Sequence, residues 1–248
     1  MWQKLSHIIL KSLQKLSANQ NTSSTATISP PVIAIDGPSA SGKGTITQLV
    51  AEQLGYHYLD SGALYRIVAL AAKNNNIAWN NEALLAELVQ QLDIKFRDNE
   101  IYLNDDKVTE IVRSEEIGRG ASEVAIHPEL RKALVDLQHS FRQAPGLVAD
   151  GRDMATVIFP DAKLKIFLTA TAEVRADRRY KQLVGKNQPA DFQQILEDLQ
   201  QRDARDQERS AAPLAQAPDA QLLETSHRSI AEAVAFVISA YFINDQSN

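Results

Sequence analysis

The chain of 248 residues predicts an α/β fold with a mainly parallel sheet, and three observations carry that reading. Short β-branched or aliphatic runs recur along it, most of them bounded by Asp, Gly, Pro, Ser or Thr. Each is followed by a stretch with helical periodicity, which is the alternation that a parallel sheet with crossover helices requires. Composition agrees, since 44% apolar and 23% charged residues is ordinary globular usage and enough for a sizeable core. At roughly 100 to 200 residues per domain, this length accommodates one large domain with insertions and not two independent enzymes.

The elements follow in order. Residues 1–31 contain Lys4, Lys11 and Lys15 and no acidic residue, within a chain of net charge -5. Trp2, Leu5, Ile8, Ile9, Leu13 and Leu16 recur at roughly helical spacing, and Ser17 to Pro31 is mostly Asn, Ser, Thr, Gln and Pro. The pattern predicts an amphipathic tail and polar linker over 1–30 and a folded domain over 31–248. The apolar run is far below the ~20 residues of a transmembrane span and lacks a signal-peptide core, so the expected location is cytoplasmic, with no transmembrane segment. Val32 to Asp36 reads as the first strand, Gly37 to Gly44 as a turn and Thr45 to Leu54 as a helix. Tyr58–Leu59, Leu147 to Ala149, Leu164 to Leu168 and Leu222 to Glu224 supply four more short runs, giving a five-stranded sheet. Between the second and third runs lies an insertion, in which Ile94 to Arg97 and Ile101 to Leu103 predict a hairpin turning at Asp98 and Asn99. Gly185, Asn187 and Pro189 interrupt two helices and mark a second insertion.

Several chemistries are excluded. The absence of cysteine removes disulfides, thiolate metal sites and cysteine nucleophiles, and makes zinc unexpected. The acidic balance provides no whole-surface attraction for nucleic acid, so no nucleic-acid partner is expected, and any polyanion site must be a local concentration of Arg and Lys.

Such a site is indicated by Gly37, Pro38, Ser39, Ala40, Ser41, Gly42, Lys43, Gly44 and Thr45, placed after a predicted strand and before a predicted helix. Spacing and context are those of a P-loop: successive backbone N–H groups and the helix N-terminus wrap phosphates, and Lys43 reaches the β and γ oxygens. Side chains at the glycines would obstruct that approach. The usual pattern has Ser or Thr directly after the lysine. Here Gly44 intervenes and the hydroxyl belongs to Thr45, so no residue is assigned as a ligand of magnesium. The residues alone leave open a kinase for one of several small acceptors, or a non-catalytic nucleotide-binding module; no Asn-Lys-x-Asp guanine-reading stretch occurs.

The Gly-Lys-Gly-Thr form, with Leu59-Asp-Ser-Gly-Ala-Leu-Tyr-Arg66, Ala149-Asp-Gly-Arg-Asp-Met154 and Arg202-Asp-Ala-Arg-Asp-Gln-Glu-Arg209, resembles the bacterial-type cytidylate kinases of the nucleoside monophosphate kinase family. The resemblance runs from about Pro31 to the C-terminus. It departs at Ala155, where the family usually carries Gly, and in the leading tail. It implies a P-loop NTPase fold with an inserted monophosphate-binding subdomain over about 62–126 and a short lid over about 176–191. It also implies ATP as phosphoryl donor, Mg2+, CMP and dCMP as acceptors, and a monomer. Ser61, Arg66 and Arg152 are then expected on the acceptor phosphate, for which a planar guanidinium is well shaped. Ser122, Arg131 and Asp153 are expected on the base. Cytosine offers an amino donor beside two acceptors, so an ionised Asp suits it and opposes uracil, a mismatch of about 1 to 3 kcal/mol or roughly ten- to hundred-fold. Arg202 and Asp206 are expected on the sugar and Arg209 on the phosphates, the three spaced i, i+4 and i+7 along one predicted helix face. Arg175, Arg178 and Arg179 form the arginine face of the lid, with Arg178 and Arg179 on ATP. Lys43, Arg152 and Arg209 are the expected catalytic residues.

Overall fold

The computed structural model describes residues 29–97 and 100–245. The tail helix between Trp2 and Leu16 and the hairpin turn at Asp98 and Asn99 lie outside the described residues. Five strands, β1 (Val32–Asp36), β2 (His57–Asp60), β6 (Leu147–Gly151), β7 (Leu164–Thr169) and β8 (Gln221–Glu224), form a wholly parallel sheet in the order β2-β6-β1-β7-β8. The strand runs read from the sequence therefore hold, each within one or two residues at its ends.

Central strands β1 and β6 are buried along their whole length, which is why they read as continuous apolar runs rather than as alternation. Period-two geometry sends Val32 and Ala34 into one core layer and Ile33 and Ile35 into the other. The second layer is closed by α1 (Lys43–Leu54) and α9 (Ile230–Asp245). The first is closed by α2 (Ser61–Asn74), α3 (Glu82–Val89), α5 (Glu115–Val124) and α6 (Pro128–Ser140). Edge strand β8 buries only Leu223.

The chain between β2 and β6 holds those four helices, the short α4 (Thr109–Val112) and a separate antiparallel sheet of β3 (Ile94–Arg97), β4 (Glu100–Leu103) and β5 (Asp106–Lys107). The sequence indicated the first two of these strands. The third is two exposed polar residues and carries no periodic signal. After β7, α7 (Ala172–Gly185) and α8 (Phe192–Glu208) pack together with a break between them, capped at its far end by Asp191, whose carboxylate accepts from Gln194 N at 2.8 Å.

One expectation is corrected here. Arg209 does not share the helix of Arg202 and Asp206: α8 ends at Glu208, and Arg209 is extended at φ -59°, ψ 138°. Its guanidinium is turned back, with Nε donating to Ala212 O at 2.7 Å, a local bond that the i+7 spacing could not reveal.

Candidate active site

The carboxyl ends of β2, β6 and β1 lie side by side, the position at which open α/β sheets present ligand-binding groups. Register places Asp60 opposite Asp150 and Asp36 opposite Gly151. Three turns leave these strand ends, and they carry most of the residues singled out by the sequence.

The first turn, residues 37–42, is shaped by close approach and by dihedral. A Cβ on Gly37 would stand 1.9 Å from Leu168 O, so that glycine is demanded by the neighbouring strand and not by room for a ligand. Gly42 is left-handed at φ 92° where α1 begins, a conformation that side chains disfavour. Helix α1 starts two residues before the predicted Thr45 and includes Lys43. Lys43 is buried and folds back on its own loop, Nζ donating to Pro38 O at 3.1 Å, while Ser41 Oγ donates to the same oxygen at 3.0 Å. Burial lowers the Lys43 ammonium from its ordinary range, and Arg152 adds to this, against the attraction of Asp150 and Asp60. Asp150 is pushed the other way, upward, by burial and by Asp60. A cation and a carboxylate thus stand desolvated beside a loop of backbone N–H groups.

Helix α2 opens the second turn. Asp60 caps it by accepting from Ala63 N at 3.0 Å, and Ser61 Oγ donates to Gln138 Oε1 at 2.8 Å. Arg66, one turn on, donates to Val112 O at 3.0 Å, and Gly118 of α5 leaves it room, since a Cβ there would meet its guanidinium at 3.1 Å.

The third turn joins the other two. Arg152 donates through Nε to Asp206 at 2.7 Å and through Nη2 to Ser39 Oγ at 2.8 Å, tying α8 to the first turn. Asp153 pairs with Arg131 in a buried ion pair, and Arg209 Nη2 stands 3.8 Å from the same carboxylate without a hydrogen-bond partner. Ser122 and Arg131, which by pattern alone pass for ordinary helix-surface residues, are both buried. Together with Ser61, Arg202 and Asp206 they line one small cavity. Its neighbour, a cavity of about 440 Å³, is lined by Ser39, Ala40, Arg66, Arg179 and Arg202. Arg202 Nε is buried without a partner, and burial, with Arg152 and Arg66 nearby, lowers its guanidinium to about 9. Arg66, Arg152 and Arg202 thus concentrate positive charge where the two cavities meet, and guanidinium groups suit the oxygens of a multiply charged anion.

The three arginines of α7 do different things. Arg175 is buried, donating to Ser39 O at 3.1 Å and pairing with Asp203 at 2.6 Å. Arg178 donates to Ser41 O at 2.9 Å and to Thr225 O at 2.6 Å. Only Arg179 reaches over the cavity, to an ion pair with Glu115 of α5. Thr45 is exposed and lines a further concavity with Ala40, Arg178, Arg179 and Thr225.

Sequence reasoning assigned no role to Asp36, Tyr58, Asp60, Tyr65, Glu115 or Asp150. Asp60, Tyr65 and Asp150 were already inside the quoted motifs, and a carboxylate beside a predicted phosphate loop is a signal that could have raised Asp60 and Asp150. Tyr65 lies under Arg131, whose guanidinium is 5.5 Å from the ring centre, and Tyr58 hydroxyl donates to Asp150 at 3.3 Å. Nothing in the linear pattern distinguishes these tyrosines from core residues.

A protein-family model described as cytidylate kinase matches residues 33–242. A cytidylate kinase of Polynucleobacter asymbioticus is 61% identical over 211 residues, covering 85% of this chain and 96% of that protein. Those of Polynucleobacter necessarius and Chromobacterium violaceum are 60% and 54% identical, covering 86% and 82% of this chain and 99% and 92% of theirs.

Proposed function

The chain belongs to the cytidylate kinase family, and from that premise we propose that it transfers the γ-phosphoryl group of ATP to the 5' phosphate of CMP or dCMP, giving ADP and CDP or dCDP, with the residues of the three turns in the following roles. The observation that carries the acceptor reading is the buried Asp153–Arg131 pair, set with Ser122 one residue from Arg152 and beside an arginine-lined cavity that reaches the first turn.

Backbone N–H groups of residues 37–45 and Lys43 hold the donor phosphates, and Lys43 exchanges Pro38 O for a phosphate oxygen. Arg178 and Arg179 lie on the donor side, in the segment of about 176–191 read as a lid. Ser61, Arg66 and Arg152 take the acceptor phosphate, held over the segment of about 62–126 read as the acceptor subdomain. Arg202 and Asp206 take the sugar. Ser122, Arg131 and Asp153 take the base, an ionised carboxylate accepting from the cytosine amino group. Arg209 moves in this reading from the phosphates towards the base pocket, because its guanidinium faces Asp153.

No general base is needed. The attacking oxygen is anionic near neutral pH, so the chain need only align two mutually repelling phosphates and offset their charge, which Lys43, Arg66, Arg152 and Arg202 are placed to do. Among the described residues no group of three or more His, Cys, Asp or Glu could cage a metal ion. Mg2+ keeps several waters and uses one or two carboxylates plus substrate phosphates. Asp150, whose Oδ2 would lie 3.4 Å from a Cβ at Gly44, is the carboxylate that would hold it. Mg2+ would supply charge neutralisation of the β and γ oxygens. The reading is of a monomer, as expected from the sequence. No described helix is long and apolar enough to cross a membrane, and the site of action is read as the cytoplasm.

The test is ADP release with ATP and CMP, dCMP, UMP or AMP in parallel. CMP and dCMP should lead, and faster turnover of UMP or AMP would overturn the acceptor assignment.

A further inference from the structure

The turn after β6 divides an ordinary capping task between two aspartates. Asp153 occupies the position before the helical turn Met154–Ile158: its φ -148° and ψ 22° are not helical, and its carbonyl accepts from Val157 N at 2.9 Å and Ile158 N at 3.1 Å. An aspartate so placed commonly turns its own carboxylate onto the free backbone N–H groups of the first turn. Asp153 makes no such bond, and its carboxylate is committed to Arg131 instead. Two N–H groups at the start of the turn are taken by a different residue. Asp36 accepts from Met154 N through Oδ1 and from Ala155 N through Oδ2, both at 2.8 Å.

Asp36 is suited to this by position. It is the last residue of β1, 1% exposed, and held by the ladder opposite Gly151 and Phe167. Burial is the largest influence on its carboxyl, with Asp153 adding to it, and the pair of N–H bonds opposes both.

We propose that Asp36 is a specificity-positioning residue: by capping the turn in place of Asp153, it leaves the Asp153 carboxylate free to stay on Arg131 in the base pocket. Without an acceptor at position 36, two buried N–H groups would lack partners, and the carboxylate adjoining them in sequence is that of Asp153. Drawn onto its own turn, it would leave both Arg131 and the cytosine amino group. The inference rests on the reading of Asp153 as the group that recognises the base. It adds that this recognition is set by a residue at the root of the donor loop.

The experiment compares kcat/KM for CMP and for UMP in the parent, Asp36→Asn and Asp153→Asn, with ATP binding in the absence of acceptor as a control for folding. An amide at position 36 can accept one N–H and presents a donor to the other. Asp36→Asn should therefore shrink the CMP-to-UMP ratio on the order of ten-fold, with a much smaller change in ATP binding. A purely structural role would depress both acceptors together, and an unchanged ratio in Asp36→Asn overturns the inference. If Asp153→Asn shrinks the ratio and Asp36→Asn does not, the inference fails alone. If Asp153→Asn itself leaves the ratio unchanged, the base reading fails and the inference with it. Should Asp36→Asn not fold, Asp36→Glu, which keeps the charge but sets the oxygens one methylene too far forward, is read by the same ratio.

Discussion

Residues 37–45 carry one charged side chain, Lys43, and its hydrogen bond stays within its own loop, on Pro38 O, which also accepts from Ser41. The acceptor pocket does the reverse. Its groups come from α2, α5, α6, α8 and the turn after β6, and its charged side chains pair across elements, Arg131 with Asp153 and Arg152 with Asp206, with a further bond from Arg152 to Ser39 of the donor loop. The donor loop can therefore lose a charged side chain without stranding a partner, whereas the acceptor pocket cannot. Chemistry and stability are separable in the first region and joined in the second.

Lys43→Ala is the strongest test of that contrast. Removing a charge aimed at developing negative charge typically costs about 10² to 10³ in kcat. The only hydrogen bond lost is to Pro38 O, which Ser41 Oγ still serves, and the charge withdrawn from beside Asp150 is itself a desolvated one. Turnover should collapse while the thermal midpoint stays close to the parent, and a large loss of stability in Lys43→Ala would break the contrast at its donor end.

Asp153→Asn tests the acceptor end. The structure removes one rival for its role: Arg152 is held by Asp206 and Ser39, so Asp153 is not its support. CMP efficiency should fall by roughly ten- to hundred-fold with UMP far less affected, because an amide can turn its NH2 towards the uracil carbonyl. Unlike Lys43→Ala, this variant should also lose stability, since it withdraws the charge facing a buried guanidinium, a defect that reaches about 3 to 5 kcal/mol when a partner is removed entirely. Kinetics and thermal unfolding of the same preparation read both effects.

The two regions also differ in what the sequence discloses. The donor loop is contiguous, so nine neighbouring residues carry its whole description, and strand and helix signals on either side fix its context. The acceptor pocket is assembled by folding, and apart from the family resemblance nothing in the pattern selects Ser122 or Arg131, which become buried only when α5 packs on α2 and α6 on α3. The same limit explains Arg209: helical spacing is legible, but the point at which α8 unwinds depends on the bond to Ala212 O. Asp36 was taken for the end of a strand, which it is, because its two N–H partners lie over a hundred residues away. Fold class was legible because alternation is a local property repeated along the chain, and the pocket was not because its contacts are distant.

Asp36 belongs to both regions, and pH examines it with a smaller effect. Burial, with Asp153 adding and the Met154 and Ala155 N–H groups opposing, raises its carboxyl from 3.8 to about 6. A carboxyl raised on folding contributes stability that is fully present below its unfolded value and is lost as pH rises through its folded value. As pH falls from about 7 towards 4, the parent should therefore gain in thermal midpoint relative to Asp36→Asn, mostly between about pH 6 and pH 4. A difference between the two that is flat across that window would show that the Asp36 carboxyl is not raised by its surroundings.

The smallest expected effect concerns the leading segment, and it separates what the catalytic domain needs from what precedes it. Every residue assigned to either region lies beyond position 35, so deletion of residues 1–29 should leave kcat/KM for CMP unchanged and shift the midpoint by no more than about 1 to 2 °C, as for a surface change. The cut is placed by two bonds. Arg142 Nε donates to Pro30 O at 2.8 Å, and Leu147 N donates to Pro31 O at 2.9 Å at the start of the central β6. Both carbonyls survive a deletion that ends at 29, and both are lost in one that ends at 31. The longer deletion leaves a buried strand N–H and the Nε of Arg142, whose Nη1 keeps Asp161, without their acceptors, each of the order of 1 kcal/mol or more, so it should unfold measurably earlier than the shorter one. Equal midpoints for the two truncations would mean that these bonds do not anchor the domain, and a large loss already at 29 would mean that the segment before it packs on the core.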